Sequence, residues 1–213
     1  MTTRTGRRAE WIAGVVLTAC ALCACGADAP DAAPTARALS PEEAPSFEAL
    51  PDCDEMALLL GGLVDGLVPA DGAESGQGKH GDSYTYGVSC TWLTPRTRSD
   101  NAFEAVKGGS LAVGITVSEL PRDPDDEAIM RGMGMVFDDP RAEAIGGYVV
   151  TMDRSFDPAA PLGIVGPQVV IGPTTIIATA GGLYLGEVEE LAPITNDRAI
   201  GASVALYEAI RER

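Results

Sequence analysis

The chain has 213 residues, 46% of them hydrophobic and 22% charged, which is typical of one globular domain with tails and too apolar for a disordered chain. Its formal net charge is -16. A strongly acidic surface repels the phosphates of nucleic acids and the headgroups of anionic lipids. We therefore expect no nucleic acid partner, and solubility is the commoner reason for such a charge.

The first 24 residues have the parts of a secretory signal peptide. Three arginines lie in residues 1–10, residues 11–24 are apolar and uncharged, and Cys25 follows. The apolar stretch is shorter than the roughly 20 residues of a membrane-spanning helix. Residues 22–25, Leu-Cys-Ala-Cys, resemble the lipobox of bacterial lipoproteins. That resemblance implies cleavage before Cys25, a lipid on its thiol, and an anchor at the extracytoplasmic face of the cell membrane.

Three alternatives to this assignment stay open. Residues 17–20, Leu-Thr-Ala-Cys, form a second lipobox, but it would leave an apolar region of only residues 11–18, so we favour Cys25 over Cys20. Arg7 and Arg8 form the arginine pair with which a twin-arginine signal opens, but the residues after them depart from that pattern, so we expect general secretion. An uncleaved anchor helix would leave the location nearly unchanged.

The cysteines that remain after cleavage predict one disulfide bond. Of five cysteines, Cys20 and Cys23 would leave with the signal peptide and Cys25 would carry the lipid. The environment outside the cytoplasm is oxidising, and disulfide bonds persist there. Two remaining cysteines allow a single connectivity, so we predict a bond between Cys53 and Cys90. A reactive thiol pair would be expected at CxxC spacing, which these two lack.

The mature chain divides into a tether and a domain. Residues 25–49 are predicted to be the tether, because residues 26–47 are rich in alanine, proline and acidic residues and show no apolar periodicity. Residues 50–213 are predicted to be the globular domain. Without residues 1–24 the chain has 12 basic and 30 acidic residues, a net charge of -18.

The first half of the domain predicts a helix and two strands. Asp52 and Glu55 form a capping-box pair, and apolar residues recur at helical spacing over residues 52–67. Over residues 84–92 apolar residues alternate with small polar ones, which indicates a strand with one buried face. Residues 111–117 alternate in the same way and predict a second strand.

The second half begins with a predicted helix over residues 123–137. An aspartate precedes Pro124, which suits the N-cap and the first position of a helix. Strands are predicted near residues 146–152 and 168–179. Gly172 and the proline after it are expected to interrupt the latter run.

The chain closes with a predicted helix that Asn196 or Asp197 caps. Its apolar line consists of Ile200, Val204, Leu206, Tyr207 and Ile210. The order helix, strand, strand, helix, strand, strand, helix predicts the α+β class. We expect a single domain of two layers, with helices packed on a mostly antiparallel sheet.

Three short segments carry a resemblance to a known family. They are Cys-Asp-Glu-Met-Ala-Leu-Leu-Leu-Gly at 53–61, Val-Ser-Cys-Thr-Trp at 88–92, and the strand at 110–118. Together they are similar to a family of uncharacterised lipoproteins from actinobacteria, which combine a lipobox, a tether, a cysteine opening the first helix, a Cys-x-Trp strand and a closing helix. The likeness covers about residues 50–213 in layout and implies no catalytic residue. This chain departs from it in a longer, more acidic segment at 119–143.

Histidine and glycine patterns give no catalytic or nucleotide site. His80 is the only histidine and no nucleophile-elbow pattern accompanies it, so we expect no Ser-His-Asp triad. A zinc site would need more imidazoles or free thiols than the chain offers. Glycine pairs at 108–109, 146–147 and 181–182 flank predicted strands without a phosphate-binding GxGxxG or GxxxxGK pattern, and we interpret them as turns.

The acidic run at residues 123–127, with Asp138 and Asp139 beyond it, is a candidate for calcium. Its spacing is not that of an EF-hand loop, and acids at the start of a helix need no ligand to explain them. We therefore expect no metal and no cofactor.

Two sets of side chains are candidates for a ligand pocket. One is the methionines Met130, Met133 and Met135. The other is the aromatic residues Tyr84, Tyr86 and Trp92. Helical spacing of the first two methionines favours a core position over a Cu(I) site. The shared strand face of the aromatic residues favours a buried core over a pocket.

These observations predict a non-catalytic lipoprotein of the cell envelope, with a ligand-binding or accessory domain held at the membrane by Cys25. The basis is a complete export pattern beside an absent catalytic pattern. The alternative is an extracytoplasmic hydrolase with carboxylates as acid and base, which requires two carboxylates within about 10 Å in one cleft. A protein that binds another protein would instead expose an apolar patch.

Overall fold

One antiparallel sheet forms the first layer of the domain. The computed structural model describes residues 40–71, 76–79 and 84–213. Within them the strands are β1 Val68–Pro69, β2 Gly76–Lys79, β3 Thr85–Leu93, β4 Ser110–Ser118, β5 Val136–Phe137, β6 Tyr148–Val150, β7 Gln168–Ile171 and β8 Thr174–Gly181. They are ordered β1-β3-β4-β8-β7-β6-β5, and β2 pairs with another part of β3. All of these pairs are antiparallel.

Helices form the second layer. They are α1 Cys53–Leu60, α2 Ala102–Ala105, α3 Asp126–Gly132, α4 Pro140–Ala144 and α5 Asn196–Arg211. Helix α1 contacts β3 and α5, and α5 contacts β7 and β8. The predicted α+β class, with helices packed on a mostly antiparallel sheet, is confirmed. None of the described helices is long and apolar enough to cross a membrane.

Side chains along β3 and β4 alternate between the two faces of the sheet, and one of these faces is buried in the core. In β3, Tyr86, Val88, Cys90 and Trp92 are buried, whereas Tyr84 precedes the strand and is exposed. The predicted strand is confirmed, but its predicted aromatic face was wrong at Tyr84, because the strand begins one residue later. The buried residues of β4 are Leu111, Val113, Ile115 and Val117. Burial of each such side chain contributes about 1.5–3 kcal/mol, so this face supplies much of the domain's stability.

The capping box of α1 is present as predicted. The Glu55 backbone N–H donates to Asp52 Oδ1 at 2.8 Å, and the Asp52 backbone N–H donates to Glu55 Oε2 at 3.3 Å. The helix ends at Leu60, seven residues before the predicted end at 67. Gly61 takes a φ of 55°, a left-handed conformation that favours glycine and ends an α-helix.

Helix α3 is shorter than the predicted helix over residues 123–137. It begins at Asp126, because the Asp123 side chain accepts a hydrogen bond from the Asp125 backbone N–H and forms a turn before the helix. It ends at Gly132, and Gly134 at a φ of 71° turns the chain into β5. The N-cap position belongs to Asp125, although no side-chain hydrogen bond caps the helix there.

The closing helix α5 carries the predicted apolar line, and all five of its residues are buried. Its N-cap is Thr195, whose Oγ1 accepts a hydrogen bond from the Arg198 backbone N–H at 3.3 Å. The prediction of Asn196 or Asp197 was therefore wrong by one residue or two. The predicted run at 168–179 is two strands, β7 and β8, separated at Gly172 as expected.

The predicted disulfide bond between Cys53 and Cys90 is confirmed, with a Cα–Cα distance of 5.5 Å. Cys53 is the first residue of α1, and Cys90 is a fully buried residue of β3. The bond therefore joins the first helix to the sheet.

Packing against the domain begins inside the segment predicted as tether. The Tyr86 hydroxyl donates to the carbonyl of Pro45, and the rings of Phe47 and Tyr86 meet edge to face at 6.1 Å. A Cβ added to Gly172 would lie 2.0 Å from the Pro41 carbonyl, so the chain at Pro41 lies directly on the turn between β7 and β8. The described part of the domain thus includes residues before the predicted boundary at Leu50.

Candidate interaction surface

A group of exposed apolar side chains lies at one end of the sheet. We define the Phe103 patch as Phe103, Val106 and Tyr184, which line one cavity, together with Leu183, the exposed neighbour of Tyr184 in the chain. Phe103 is 81% exposed and Leu183 is 75% exposed. Phe103, Val106 and Tyr184 line a shallow cavity of about 330 Å³, together with Lys107 and Glu187. Single exposed apolar residues are common on soluble proteins, whereas a group of large ones around one cavity is a candidate binding surface.

The patch has two halves, Phe103 with Val106 before β4 and Leu183 with Tyr184 after β8. The register of β4 and β8 brings these halves together. Ser110 at the start of β4 pairs with Gly181 at the end of β8. The segment before β4 contains α2, and the segment after β8 contains Leu183 and Tyr184. The patch therefore joins residues about 80 positions apart in the sequence through one antiparallel strand pair.

Buried neighbours fix the backbone beneath the patch. The buried Thr94 hydroxyl accepts a hydrogen bond from the Gly109 backbone N–H at 3.0 Å. A Cβ added to Gly109 would lie 2.6 Å from a methyl group of Leu191, so the two loops are in close contact. Val188 and Leu191 are buried, and they anchor the loop that carries Leu183 and Tyr184. A surface held in this way loses little conformational entropy when it binds.

Asn101 explains how α2 forms although it has only four residues. The Asn101 side chain accepts a hydrogen bond from the Phe103 backbone N–H at 3.0 Å and caps the helix. Such a short helix has no residue buried in the core, so Phe103 points to solvent. On its polar side Lys107 pairs with Glu104 at 2.9 Å, and this hydrogen bond is the main cause of the lowered pKa of the Glu104 carboxyl.

A second concavity, of about 450 Å³, lies at the opposite end of β8. Arg122 donates through Nε to the Gly172 carbonyl at 2.8 Å and through Nη2 to Thr175 Oγ1 at 3.0 Å. Tyr148 forms part of the wall. Burial raises the pKa of the Tyr148 hydroxyl, while the neighbouring Arg122 acts in the opposite direction. Three prolines, Pro121, Pro124 and Pro173, make much of the lining apolar.

The same concavity contains the carboxylates of Glu42, Asp123 and Glu127. Two of them already have structural roles. Glu127 accepts from Arg131 Nε at 2.8 Å, and Asp123 accepts from a backbone N–H at 2.9 Å. Both carboxylates therefore already have hydrogen-bond donors within the protein. The hydrolase alternative stays a prediction.

Several sequence-predicted candidates lie outside the described residues, namely Cys20, Cys25 and His80. The acidic residues at 123–127 belong to the turn before α3 and to its first turn, as helix-start chemistry predicts. Within residues 40–71, 76–79 and 84–213, no three histidine, cysteine, aspartate or glutamate side chains are grouped closely enough to hold a metal ion.

The methionine and glycine candidates have mixed outcomes. Met133 was predicted to face the core, but it follows the end of α3 and is 41% exposed, so this prediction was wrong. Met130 is half-buried. The glycine pairs at 108–109, 146–147 and 181–182 lie where β4 and β6 begin and where β8 ends, as expected of turns.

The sequence pattern gives no signal of the Phe103 patch. Phe103 and Val106 lie in a stretch without a clear period, and Leu183 and Tyr184 follow a strand in a segment that contains Leu185, Val188 and Leu191. Sequence spacing does not tell which of these apolar residues are buried. Comparison of the chain with family models, with curated proteins and with solved structures found no match.

Proposed function

We propose that this protein is a lipoprotein anchored through Cys25 at the extracytoplasmic face of the cell membrane, and that its domain binds a partner protein without catalysing a reaction. The observation that carries the binding role is the Phe103 patch, where two aromatic and two aliphatic side chains are exposed on a fixed backbone. Aromatic residues are enriched in the centres of protein interfaces.

The size of the patch indicates how strongly it binds. Burying a fully exposed large apolar side chain contributes about 1.5–3 kcal/mol. Phe103 and Leu183 are mostly exposed and Val106 and Tyr184 about half, so the four together supply about 4–7 kcal/mol. Association costs about 4–15 kcal/mol in lost translational and rotational freedom. The patch alone therefore supports weak or transient binding, and a tight complex requires further contacts around it.

The patch and the first described residues lie at opposite ends of β8. The described chain starts at Ser40, and Pro41 lies on the turn between β7 and β8. The patch lies beyond Gly181, at the far end of β8. Eight residues of β-strand span about 25 Å, which is the approximate separation of the two ends.

Site-specific photo-crosslinking in intact cells tests the binding role. A photo-crosslinking amino acid, p-benzoylphenylalanine, is placed at position 103, at 183, or at the control position 58, where Leu58 is 83% exposed on α1. We expect the same discrete crosslinked protein from positions 103 and 183 and none from position 58. Equal crosslinking from all three positions, or none from 103 and 183, would contradict the proposal.

The anchor is tested separately by cell fractionation. The variant Cys25→Ser should move the protein from the membrane fraction to the soluble fraction and abolish incorporation of labelled palmitate. Cys20→Ser is the matched control, because the same change is made in the rival lipobox and should leave both properties intact. Loss of labelling in Cys20→Ser alone would transfer the anchor to Cys20.

A further inference from the structure

We infer that the Phe103 patch binds a partner whose contacting surface combines an apolar side chain with lysine or arginine. This inference rests on the proposed binding role and adds the chemistry of the partner. Three occupants of an exposed apolar patch are conceivable: a second copy of this chain, an anionic bilayer, and another protein. The charges of the molecule discriminate between them.

The basic and acidic side chains nearest the patch differ in whether they have an ion-pair partner. The ammonium group of Lys107 is paired with Glu104 at 2.9 Å, and Arg96 acts on the same carboxylate. Glu187 lines the cavity, and Glu189 follows in the same exposed loop. Among residues 84–213 neither of these two glutamates takes part in an ion pair. The loop side of the patch is therefore acidic.

The charge of the whole chain acts in the same direction. At -16, two copies of the chain repel each other, and an anionic bilayer repels each copy. This repulsion is screened over about 8 Å at physiological salt, so it acts mainly on surfaces that come into contact. This repulsion disfavours a second copy and a lipid surface as the occupant of the patch.

Aromatic rings favour the third occupant. Phe103 and Tyr184 are exposed, and an arginine or lysine over such a ring gains a cation–π attraction in addition to its attraction to Glu187. Arginine is also the charged residue most enriched at interface centres, because its guanidinium packs flat on aromatic faces. An apolar anchor flanked by basic residues therefore complements the patch in shape and charge.

The test measures binding of three fluorescent peptides to the full chain in a neutral detergent by fluorescence anisotropy. The peptides are Lys-Lys-Trp-Lys-Lys, Glu-Glu-Trp-Glu-Glu and Lys-Lys-Gly-Lys-Lys. We expect the first to bind at least about fivefold more tightly than either of the others, and to weaken as salt is raised. Phe103→Ser should remove this advantage, whereas Leu58→Ser, the matched control on α1, should retain it.

A double variant, Glu187→Gln with Glu189→Gln, separates charge from apolar contact. This variant should bind the Lys-Lys-Trp-Lys-Lys peptide about threefold more weakly, and that binding should depend less on salt. Its affinity for Glu-Glu-Trp-Glu-Glu should rise or stay equal. The inference is overturned if both tryptophan peptides bind equally well. It is also overturned if phosphatidylglycerol vesicles bind the protein, or if the protein self-associates in sedimentation, in a manner that Phe103→Ser abolishes. If position 103 crosslinks a partner in cells but the peptides show no charge preference, the binding role stands and only the basic partner is refuted.

Discussion

Removal of the Cys53–Cys90 bond should destabilise the domain by about 4 kcal/mol. The two cysteines are 37 residues apart. Closing a loop of that length removes about 13 cal/mol/K of entropy from the unfolded chain, which is about 4 kcal/mol at 298 K. Small domains have a total stability of about 5–15 kcal/mol, so this loss is a large fraction of it.

Urea unfolding monitored by tryptophan fluorescence measures this loss. Trp92 lies in β3, two residues after Cys90, and is only 2% exposed. Unfolding exposes its ring to water, so its fluorescence emission moves to longer wavelength. The protein is compared with and without a phosphine reductant, and with the double variant Cys53→Ala and Cys90→Ala. With a urea dependence of about 2 kcal/mol per molar, the midpoint should fall by about 2 M.

Reduction and the double alanine variant together separate two contributions of the bond to stability, the restriction of the unfolded chain and the packing of the buried sulfur. Reduction keeps both sulfur atoms, whereas alanine at the fully buried position 90 also removes the buried sulfur and should cost about 1 kcal/mol more. The urea dependence should rise slightly, because an unfolded chain without the bond is more expanded. A loss below about 1 kcal/mol on reduction would refute the reasoning, since the bond would then not restrict the unfolded chain.

Three further predictions concern single residues of the described domain. Asp139→Asn should cost about 2 kcal/mol near pH 7, because Asp139 is only 5% exposed and loses its charged pair with Arg141. A hydrogen bond from Arg141 holds the pKa of the Asp139 carboxyl below its ordinary value, so this contribution is present above about pH 4 and is lost as the pH falls through the folded pKa. The urea midpoints of the two proteins should therefore converge as the pH is lowered below about 4, and a constant difference would contradict this. Thr174→Val should stabilise the domain by about 1 kcal/mol in thermal unfolding, because the buried Thr174 hydroxyl has no hydrogen-bond partner among the described residues. A variant that unfolds at a lower temperature would contradict this, since the hydroxyl would then make a stabilising hydrogen bond. Gly166→Ala should cost at least about 2 kcal/mol in urea unfolding, because the new Cβ would lie 1.8 Å from the Ala178 carbonyl, whereas Gly163→Ala in the same loop meets no atom within 4 Å and should be nearly neutral.

The features that sequence analysis predicted well depend on local patterns. The capping box of Asp52 and Glu55 is decided within four residues, and the alternation over residues 85–93 reports burial on one side of a single strand. The pairing of Cys53 with Cys90 followed from cysteine count and compartment. Each of these requires no knowledge of which strands become neighbours.

The features that it missed depend on tertiary context or on single backbone dihedrals. Helix α1 was predicted too long because its apolar spacing continues past Gly61, and only the positive φ of that glycine ends it. The short helices α2 and α4 have too few residues to show a period. The Phe103 patch depends on the pairing of Ser110 with Gly181, and the sequence contains no mark of that register.

The β4–β8 pairing also has a kinetic consequence. Both strands lie at the centre of the sheet, yet their paired residues are 57 to 71 positions apart, from Val117 with Thr174 to Ser110 with Gly181. Contacts of such high sequence separation form late and slowly, on the scale of milliseconds to seconds for sheet-rich domains. The two halves of the Phe103 patch come together only when this pairing is complete. A partner that requires both halves would therefore bind only a chain in which β4 and β8 are already paired.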